Sequence, residues 1–425
     1  MIKLEEYKHL TENKAIEKLQ APLKAYLPLI QHLGKVCVPI VNIGDSVSVG
    51  QKIADAQSAV SSPIHSSISG RVSAILDWPH PVLGRCKAIV IDSDTEEVKS
   101  EKSKVRSQEE IEKLTPDQIR GIVQEAGIVG MGGAAFPTYI KLNPSKPVDT
   151  LIINAAECEP FLTGDYRLMV EKTEEILKGV FVIARCLGVK DIFIAIEDNK
   201  PEAIEKLKAK SEKLKVKVLK TSYPQGGEKQ LVKSVLGRQV PSGKLPLDIG
   251  VVVQNISTSF AVYEAVYQNK SLYERVVTVS GSCLENPKNL LVRLGTPIKE
   301  LIDACGVLKE EPAKIIIGGP MMGLAQYTDQ VPVIKSTTGV VLFSAKEAKS
   351  ILPQVCIRCG SCVRCCPMGL VPSLLNALSE KGLWEQAKEN SVMDCIECGC
   401  CSYVCPANRN IIQAIKRAKA EISRK

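Results

Sequence analysis

Eight of the sixteen cysteines in this 425-residue chain fall in one pattern written twice near its C-terminal end. Cys356, Cys359, Cys362 and Cys366–Pro367 form the first copy, and Cys395, Cys398, Cys401 and Cys405–Pro406 the second. Each reads C-x2-C-x2-C-x3-C-P. Three thiolates two residues apart can curl round one face of a 4Fe–4S cubane, and a distant fourth can close the opposite corner. Structural zinc also takes C-x2-C pairs, but it needs four ligands, commonly in two well-separated pairs, and has no use for a third thiolate at the same spacing. A disulfide framework fits less well still. The chemistry this pattern supports is electron transfer, one electron at a time. Cys365 and Cys400 adjoin the ligands but fall outside the repeat, so they read as spare thiols of the cluster shell. Cys37, Cys86, Cys158, Cys186, Cys283 and Cys305 are scattered and read as small buried apolar residues.

The spacing resembles that of two-cluster bacterial ferredoxins, in which the fourth cysteine of each run ligates the other cluster. That resemblance implies one cluster on Cys356, Cys359, Cys362 and Cys405, and another on Cys395, Cys398, Cys401 and Cys366. The intervening "SLLNALSEKGLWEQAKENSVMD" reads as helix broken at Gly382, the helix-separated variety of this fold. Beyond it, "NRNIIQAIKRAKAEISRK" reads as a basic helix with Ile411, Ile412, Ile415 and Ile422 on one side. It is either a solvated cover for the cluster domain or a docking surface for an acidic electron carrier.

What must position these groups is too long for one core, and about three domains is a fair expectation. Hydrophobic residues at 45% and charges at 24% are ordinary for a globular protein. No stretch approaches the ~18–20 apolar residues of a membrane span. The opening "MIKLEEYKHLTENK" lacks the apolar region of a signal peptide. The expectation is a cytoplasmic protein that meets a membrane only through partners. A net charge of +8 with 4% aromatics gives no nucleic-acid signature.

Residues ~27–92 alternate short strands with turns at Gly44–Asp45 and Gly50, and a further hairpin is expected around Gly70. This is similar to the lipoyl-type barrel-sandwich fold. The matching tip, "PIHSSISG", has no lysine, which argues against a swinging prosthetic arm; His65 there reads as structural. The charged run 95–114 reads as a linker or exposed helix. Thr115, Pro116 and Asp117 mark a helix start. Apolar runs at 148–156, 191–198 and 248–255 then alternate with helical patterns, as in an α/β unit with a largely parallel sheet. Residues ~276–343 read strand, short helix, strand, a small β-grasp module. The fold expected is multidomain α/β: residues 1–94 as N-terminal segment and barrel-sandwich, 115–270 as α/β domain, 271–345 as β-grasp (SLBB-like) module, and 350–425 as a helical two-cluster ferredoxin-like domain.

"GIVGMGGAAFP" (127–137) packs four glycines after a predicted helix, where backbone N–H groups can approach a phosphate closely. It fits neither G-x-G-x-x-G nor the Walker pattern. "LIINAAECEP" then sets Asn154, Glu157 and Glu159 at the carboxyl end of a buried strand, where α/β folds build ligand sites. "YPQGGEKQLVKSVLG" adds Gly226, Gly227 and Glu228. Together these resemble the flavin- and NADH-binding subunit of respiratory complex I. More closely still, the order of barrel, "NAAECEP", "GGEKQLVKSVLGRQVPSG", "IIIGGPMMG" and two C-terminal clusters resembles the RnfC family of the Rnf electron-transport complex, over nearly the whole chain.

The resemblance implies FMN, NAD(H) and two 4Fe–4S clusters. Gly130, Gly132, Gly133 and Ala134 would surround the FMN phosphate, with Lys141 as counter-charge. Asn154 and Glu157 would hydrogen-bond the flavin, Phe136 would face NADH, and Glu159 and Glu228, beside Gly226, would hold its amide or hydroxyl groups. Three positions depart from the complex I pattern: Met131, Ala156 and Gly227 each replace a polar side chain. The N-terminal G-G-V-H-P of Rnf relatives is replaced by "EYKHLTENKAIEKL". The function implied is a subunit passing electrons between NADH, FMN and clusters, with other subunits and a ferredoxin or similar acidic carrier as partners, peripheral on the cytoplasmic membrane face. The alternatives are a soluble NADH dehydrogenase subunit feeding a cytosolic reductase, and a cluster-bearing relay that binds no NADH.

Overall fold

The central α/β domain owes its sheet to three apolar runs and a lysine-bearing edge strand. Strands Lys215–Leu219, Asp191–Glu197, Thr150–Ala155 and Val251–Asn255 lie in that order, all parallel. The structure, a computed structural model, describes all residues except 56–57, 95–104, 211–213, 349–350 and 425. Much of the charged run 95–114 therefore lies outside the described residues; its end forms a short helix, Gln108–Glu112, with a capping box on Ser107. The expected helix start at Thr115 carries a second capping box, with Gln118, and opens helix Pro116–Glu125.

Helices Thr173–Leu187 and Ile256–Gln268 pack closely on one face of this sheet. Their contact needs glycine: a Cβ on Gly179 would sit 1.9 Å from the carbonyl oxygen of Ser259 and 3.3 Å from Cβ of Tyr263. Backbone cannot swing aside as a side-chain tip can. Gly179→Ala is expected to separate the helices and cost ~1–3 kcal/mol or more. A wild-type urea midpoint in the variant would contradict this packing.

The barrel-sandwich consists of a four-stranded antiparallel sheet and a three-stranded one. Gly70 opens the long strand Gly70–His80, which pairs with Gly84–Ser93, so the hairpin turn falls at 81–83 and not around Gly70. A Cβ on Gly70 would meet the Asp92 carbonyl at 2.0 Å, so this glycine serves strand approach rather than a turn. The tip is buried: Lys335, itself fully enclosed, donates to Ser62 Oγ (3.1 Å), Pro63 O (2.7 Å) and Gly127 O (2.7 Å). One ammonium thus ties the barrel to both neighbouring domains. Three acceptors match its three donors.

The fourth sheet is six-stranded, and one of its edge strands is Ile16–Lys18, parallel to Lys288–Arg293. The N-terminal segment therefore runs outside the barrel. It bridges Ile2 to Tyr223 of the α/β domain and then joins the β-grasp sheet. In the C-terminal domain, helices Pro372–Glu380 and Trp384–Glu389 flank the break at Gly382 (φ 69°). Helix Ile411–Arg424 buries Ile411, Ile412 and Ile415 against them, and Ile422 packs partly buried onto the same core. No helix among the described residues is long and apolar enough to cross a membrane.

Candidate functional site: a cleft joined to paired cysteine loops

In the parallel sheet the strand order reverses between Thr150–Ala155 and Val251–Asn255, and open α/β folds bind ligands at the carboxyl edge of such a switch point. Asn154 and Asn255 stand opposite each other there. Asn255 caps helix Ile256–Gln268 through the amides of Ser257 (2.8 Å) and Thr258 (3.3 Å), and donates to Asp165 (2.7 Å). The glycine-rich loop is pinned onto it. Met131 N donates to Thr258 Oγ1 (3.0 Å), and a Cβ on Gly132 would lie 2.5 Å from Asn255 Nδ2. Gly132, Gly133 and Ala134 stay exposed, and a Cβ on Gly133 meets nothing within 4 Å. Gly130 N donates to Phe136 O (2.9 Å), closing the loop with Phe136 half-buried. Such a loop offers free backbone beside open space, which suits a phosphate.

The other expected residues converge on the same edge. Lys141 ends the short helix Thr138–Lys141 and pairs with Glu228 (2.5 Å) while donating to Val253 O (3.2 Å). Asn154 donates to Gly226 O (2.8 Å). Of the three departures, Met131 and Ala156 are buried in the packed interior, and Gly227 stands at the start of helix Glu228–Leu236, which has no side-chain cap. Beneath Met131 lies Arg275, fully buried, donating to Met131 O (3.3 Å) and to Lys335 O; burial lowers its pKa to about 10.

Glu157 has a left-handed backbone (φ 45°) that turns its carboxylate onto helix Gly164–Glu171, accepting from the amides of Asp165 (2.7 Å) and Tyr166 (3.1 Å). The helix has no other side-chain cap. Burial pushes the Glu157 pKa up to about 7, against the nearby Lys8 ammonium. A raised carboxyl pKa means the folded protein holds a proton that the unfolded chain has released. Between the ordinary value near 4.5 and about 7, stability therefore falls as pH rises. In Glu157→Gln, whose amide stays neutral, that slope is expected to disappear. Thermal midpoints of wild type and variant should therefore change their separation progressively as pH rises through this window. Parallel curves across it would contradict the assignment.

Glu159 faces the β-grasp module. Its two oxygens accept from the amides of Met321 (3.1 Å) and Met322 (3.0 Å), in the "IIIGGPMMG" loop, and burial raises its pKa. The Tyr223 hydroxyl lies 3.2 Å from Glu159 Oε1 and 2.9 Å from the carbonyl oxygen of Cys398. A Cβ on Gly399 would stand 2.8 Å from Met321 O. The cleft and the second cysteine loop are thus one side chain apart.

Both cysteine loops share a backbone. Arg358 and Gly360 in the first, and Glu397 and Gly399 in the second, have φ of 56°, 72°, 59° and 77°. Alternating right- and left-handed residues form concave nests of N–H groups suited to the sulfurs of a cluster. Cys366, Cys395, Cys398 and Cys401 line one narrow apolar pocket with Met368, Leu370 and Ile412. In the first loop Cys356 and Cys359 are exposed and Cys362 is buried. Gln354 N donates to Ala407 O (2.8 Å), which draws the Cys356 segment to the Cys405 segment. Both arrangements suit the crossed ligand sets. Among the described residues, no three His, Cys, Asp or Glu side chains gather closely enough for a single metal ion. Cys365 and Cys400 are buried beside the ligands, and Cys400 lines the same pocket. Of the scattered cysteines four are buried, whereas Cys86 and Cys158 are half-buried, Cys158 accepting from Gly226 N (3.3 Å). Lys419 of the C-terminal helix donates to Cys395 O (2.8 Å) and pairs with Glu397 (2.5 Å).

Three residues of this site carry no signal in the sequence: Lys8, Tyr223 and Arg275. Each acts through partners at least 60 residues away.

Residues 123–264 match the Nuo51 FMN-binding domain, and 348–416 the 4Fe-4S dicluster domain. Residues 2–96 match the RnfC barrel sandwich hybrid domain and 276–325 the SLBB domain. The structure is similar to that of an NAD+-reducing [NiFe]-hydrogenase (TM-score 0.51, 18% identity, 72% of this chain and 62% of that one), which bears on the fold. A flavin domain joined to an iron–sulfur domain defines a flavo-iron–sulfur electron-transfer protein. Among curated relatives, the chain is 47% identical to the C component of the proton-translocating ferredoxin:NAD(+) oxidoreductase complex of Clostridium ljungdahlii, over 97% of its length and 91% of the relative's. It is 42% identical to the counterpart in the Na(+)-translocating complex of Acetobacterium woodii (94% and 91%). It is 45% identical to that in the ion-translocating oxidoreductase complex of Rhodobacter capsulatus (99% and 82%). The chain belongs to the RnfC family, the C components of Rnf-type, ion-translocating oxidoreductase complexes.

Proposed function

We propose that this chain passes electrons between NAD(H) and two 4Fe–4S clusters through a bound FMN, within an Rnf-type ferredoxin:NAD oxidoreductase complex. The observation that carries this reading is the junction itself: the 130–134 loop, residues 154–159 and residues 226–228 meet at one sheet edge, and Glu159 and Tyr223 link that edge to Cys398. FMN, when bound, supplies the conversion between the two electrons of a hydride and the single electrons a cluster takes. Gly130, Gly132, Gly133 and Ala134 hold its phosphate with Lys141 as counter-charge, and Asn154 and Glu157 orient it. Glu228, exposed at the mouth beside Gly226, and Phe136 meet NADH. Glu159 contributes by holding the "GGPMMG" loop. Cys395, Cys398, Cys401 and Cys366 hold the inner cluster. Cys356, Cys359, Cys362 and Cys405 hold the outer one, whose exposed Cys356 and Cys359 face partner subunits and an acidic carrier such as ferredoxin. The complex places the chain on the cytoplasmic face of the membrane through those subunits.

Anaerobic addition of NADH to the FMN- and cluster-loaded chain should bleach flavin absorbance and then reduce the clusters. A loaded chain that NADH leaves unbleached would overturn the reading and favour a relay without NADH binding.

A further inference from the structure

The segment Glu6–Lys8 has an unusual setting. Lys8 is 6% exposed, yet no carboxylate pairs with it among the described residues. Its ammonium instead donates to three carbonyls of one loop: Glu157 O (2.8 Å), Glu159 O (3.0 Å) and Leu162 O (2.6 Å). The neighbouring residues grip the same loop. Phe161 N donates to Glu6 O (2.8 Å), and the Tyr7 ring stacks on Phe161 (4.6 Å, 7°). This loop follows strand Thr150–Ala155 and carries Glu157, Cys158 and Glu159 into the cleft.

The loop needs such a grip. Glu157 and Phe161 both have left-handed backbone (φ 45° and 68°), which strains non-glycine residues and persists only where surroundings over-determine it. A buried lysine that met no ligand-related need is an expensive way to secure a loop, because desolvating its charge carries a penalty that carbonyls return only in part. An apolar side chain would leave those three carbonyls without a donor, whereas a neutral amide could donate to them without burying a charge. What a neutral amide lacks is a fixed positive charge beneath the Glu157–Glu159 turn, where burial disfavours the ionised form of both carboxyl groups and the Lys8 charge opposes that effect.

We propose that Lys8 is a positioning residue of the flavin site: it fixes the 157–162 loop by three carbonyl contacts and supplies the cation that lets this wall of buried carboxyl groups tolerate a flavin gaining electrons. The proposal rests on the reading that FMN occupies the switch-point cleft. Reducing a flavin adds negative charge, so a nearby cation favours the reduced state and its loss disfavours it.

The test uses the full chain with Lys8→Gln, Lys8→Met and Lys8→Arg. In the absence of flavin, cleavage by a glutamate-specific protease after Glu157 should be faster in Gln and Met than in wild type. With FMN, titration of flavin fluorescence should show at least tenfold weaker binding in Gln and Met. The flavin midpoint potential should fall in both and return toward wild type in Arg, which restores charge but not the three-carbonyl geometry. Iron content should match wild type in all three. Wild-type loop protection together with unchanged FMN affinity in Gln and Met would overturn the proposal. Equal potentials in Gln, Met and Arg would overturn its electrostatic half. If wild type itself binds no FMN, the proposed function fails and loop protection still decides the clamp. If Met fails to fold, the Gln and Arg pair decides.

Discussion

Replacing Cys398 by serine is expected to halve the iron bound per chain and to sever the clusters from NADH while leaving flavin bleaching in place. Cys398 is 7% exposed, in the pocket shared by Cys366, Cys395 and Cys401. A serine hydroxyl does not ionise near neutral pH and gives iron a harder, weaker ligand than thiolate. The loss also propagates. Cys398, Cys400 and Cys401 belong to one apolar core with Leu375, Ile411 and Ile415, and Tyr223, Cys158 and Met321 from other domains pack on it. An empty inner site would leave unfilled volume in that core, and metal-held folds couple ligand loss to unfolding. Cys359→Ser is the contrast: Cys359 is exposed, so the outer cluster should be lost with a smaller fall in thermal midpoint. Iron analysis, low-temperature electron paramagnetic resonance of the reduced protein and anaerobic NADH titration read all three effects. Full iron and two unaltered cluster signals in Cys398→Ser would refute the ligand set.

The contrast between the two cysteines follows from which parts of the molecule are local in sequence. The cysteine spacing is legible because ligands of one loop lie within seven residues, and the paired left-handed residues Arg358/Gly360 and Glu397/Gly399 repeat with it. The apolar runs at 150–155, 191–197 and 251–255 are legible as strands because each is buried nearly throughout. Lys215–Leu219 is not, because an edge strand with exposed lysines carries the same composition as the charged helix before it. Strand Ile16–Lys18 offers three residues, none buried, and its partner is some 270 residues on. The glycine loop is legible as a loop from its four closely spaced glycines, but its seat on Asn255 and Thr258 depends on tertiary contact alone. The same holds for Glu159. Its position after a strand marks it for a site, whereas its partners, Met321 and Met322, lie 162 and 163 residues away.

That long-range contact makes the second large effect. Gly319→Ala is expected to leave FMN and iron near stoichiometric while slowing cluster reduction by NADH about 100-fold. A Cβ on Gly319 would stand 2.2 Å from Glu159 Oε2, 2.6 Å from its Cβ and 2.7 Å from its Cδ. Because the contact reaches down to Cβ, rotating the carboxylate away does not relieve it; the loop or the strand end must move. Movement breaks the bonds from the Met321 and Met322 amides, and Met321 O is the group against which Gly399 fits so tightly. The shift therefore passes to the inner cysteine loop through Met321 and through Tyr223, which touches both Glu159 and Cys398 O. Misplacing reacting centres by about 1 Å can cost ~100-fold in rate. Gly319 lies outside both the cysteine loops and the 130–134 loop, and Glu157 keeps its own anchors in Lys8 and the Asp165 and Tyr166 amides, so the displacement falls on the Glu159 end of the loop. Stopped-flow mixing with NADH separates the steps: flavin bleaching should keep its wild-type rate and cluster reduction should lag behind it. Simultaneous bleaching at wild-type rates would show that the Glu159–Met321 contact plays no part in joining the two halves of the molecule.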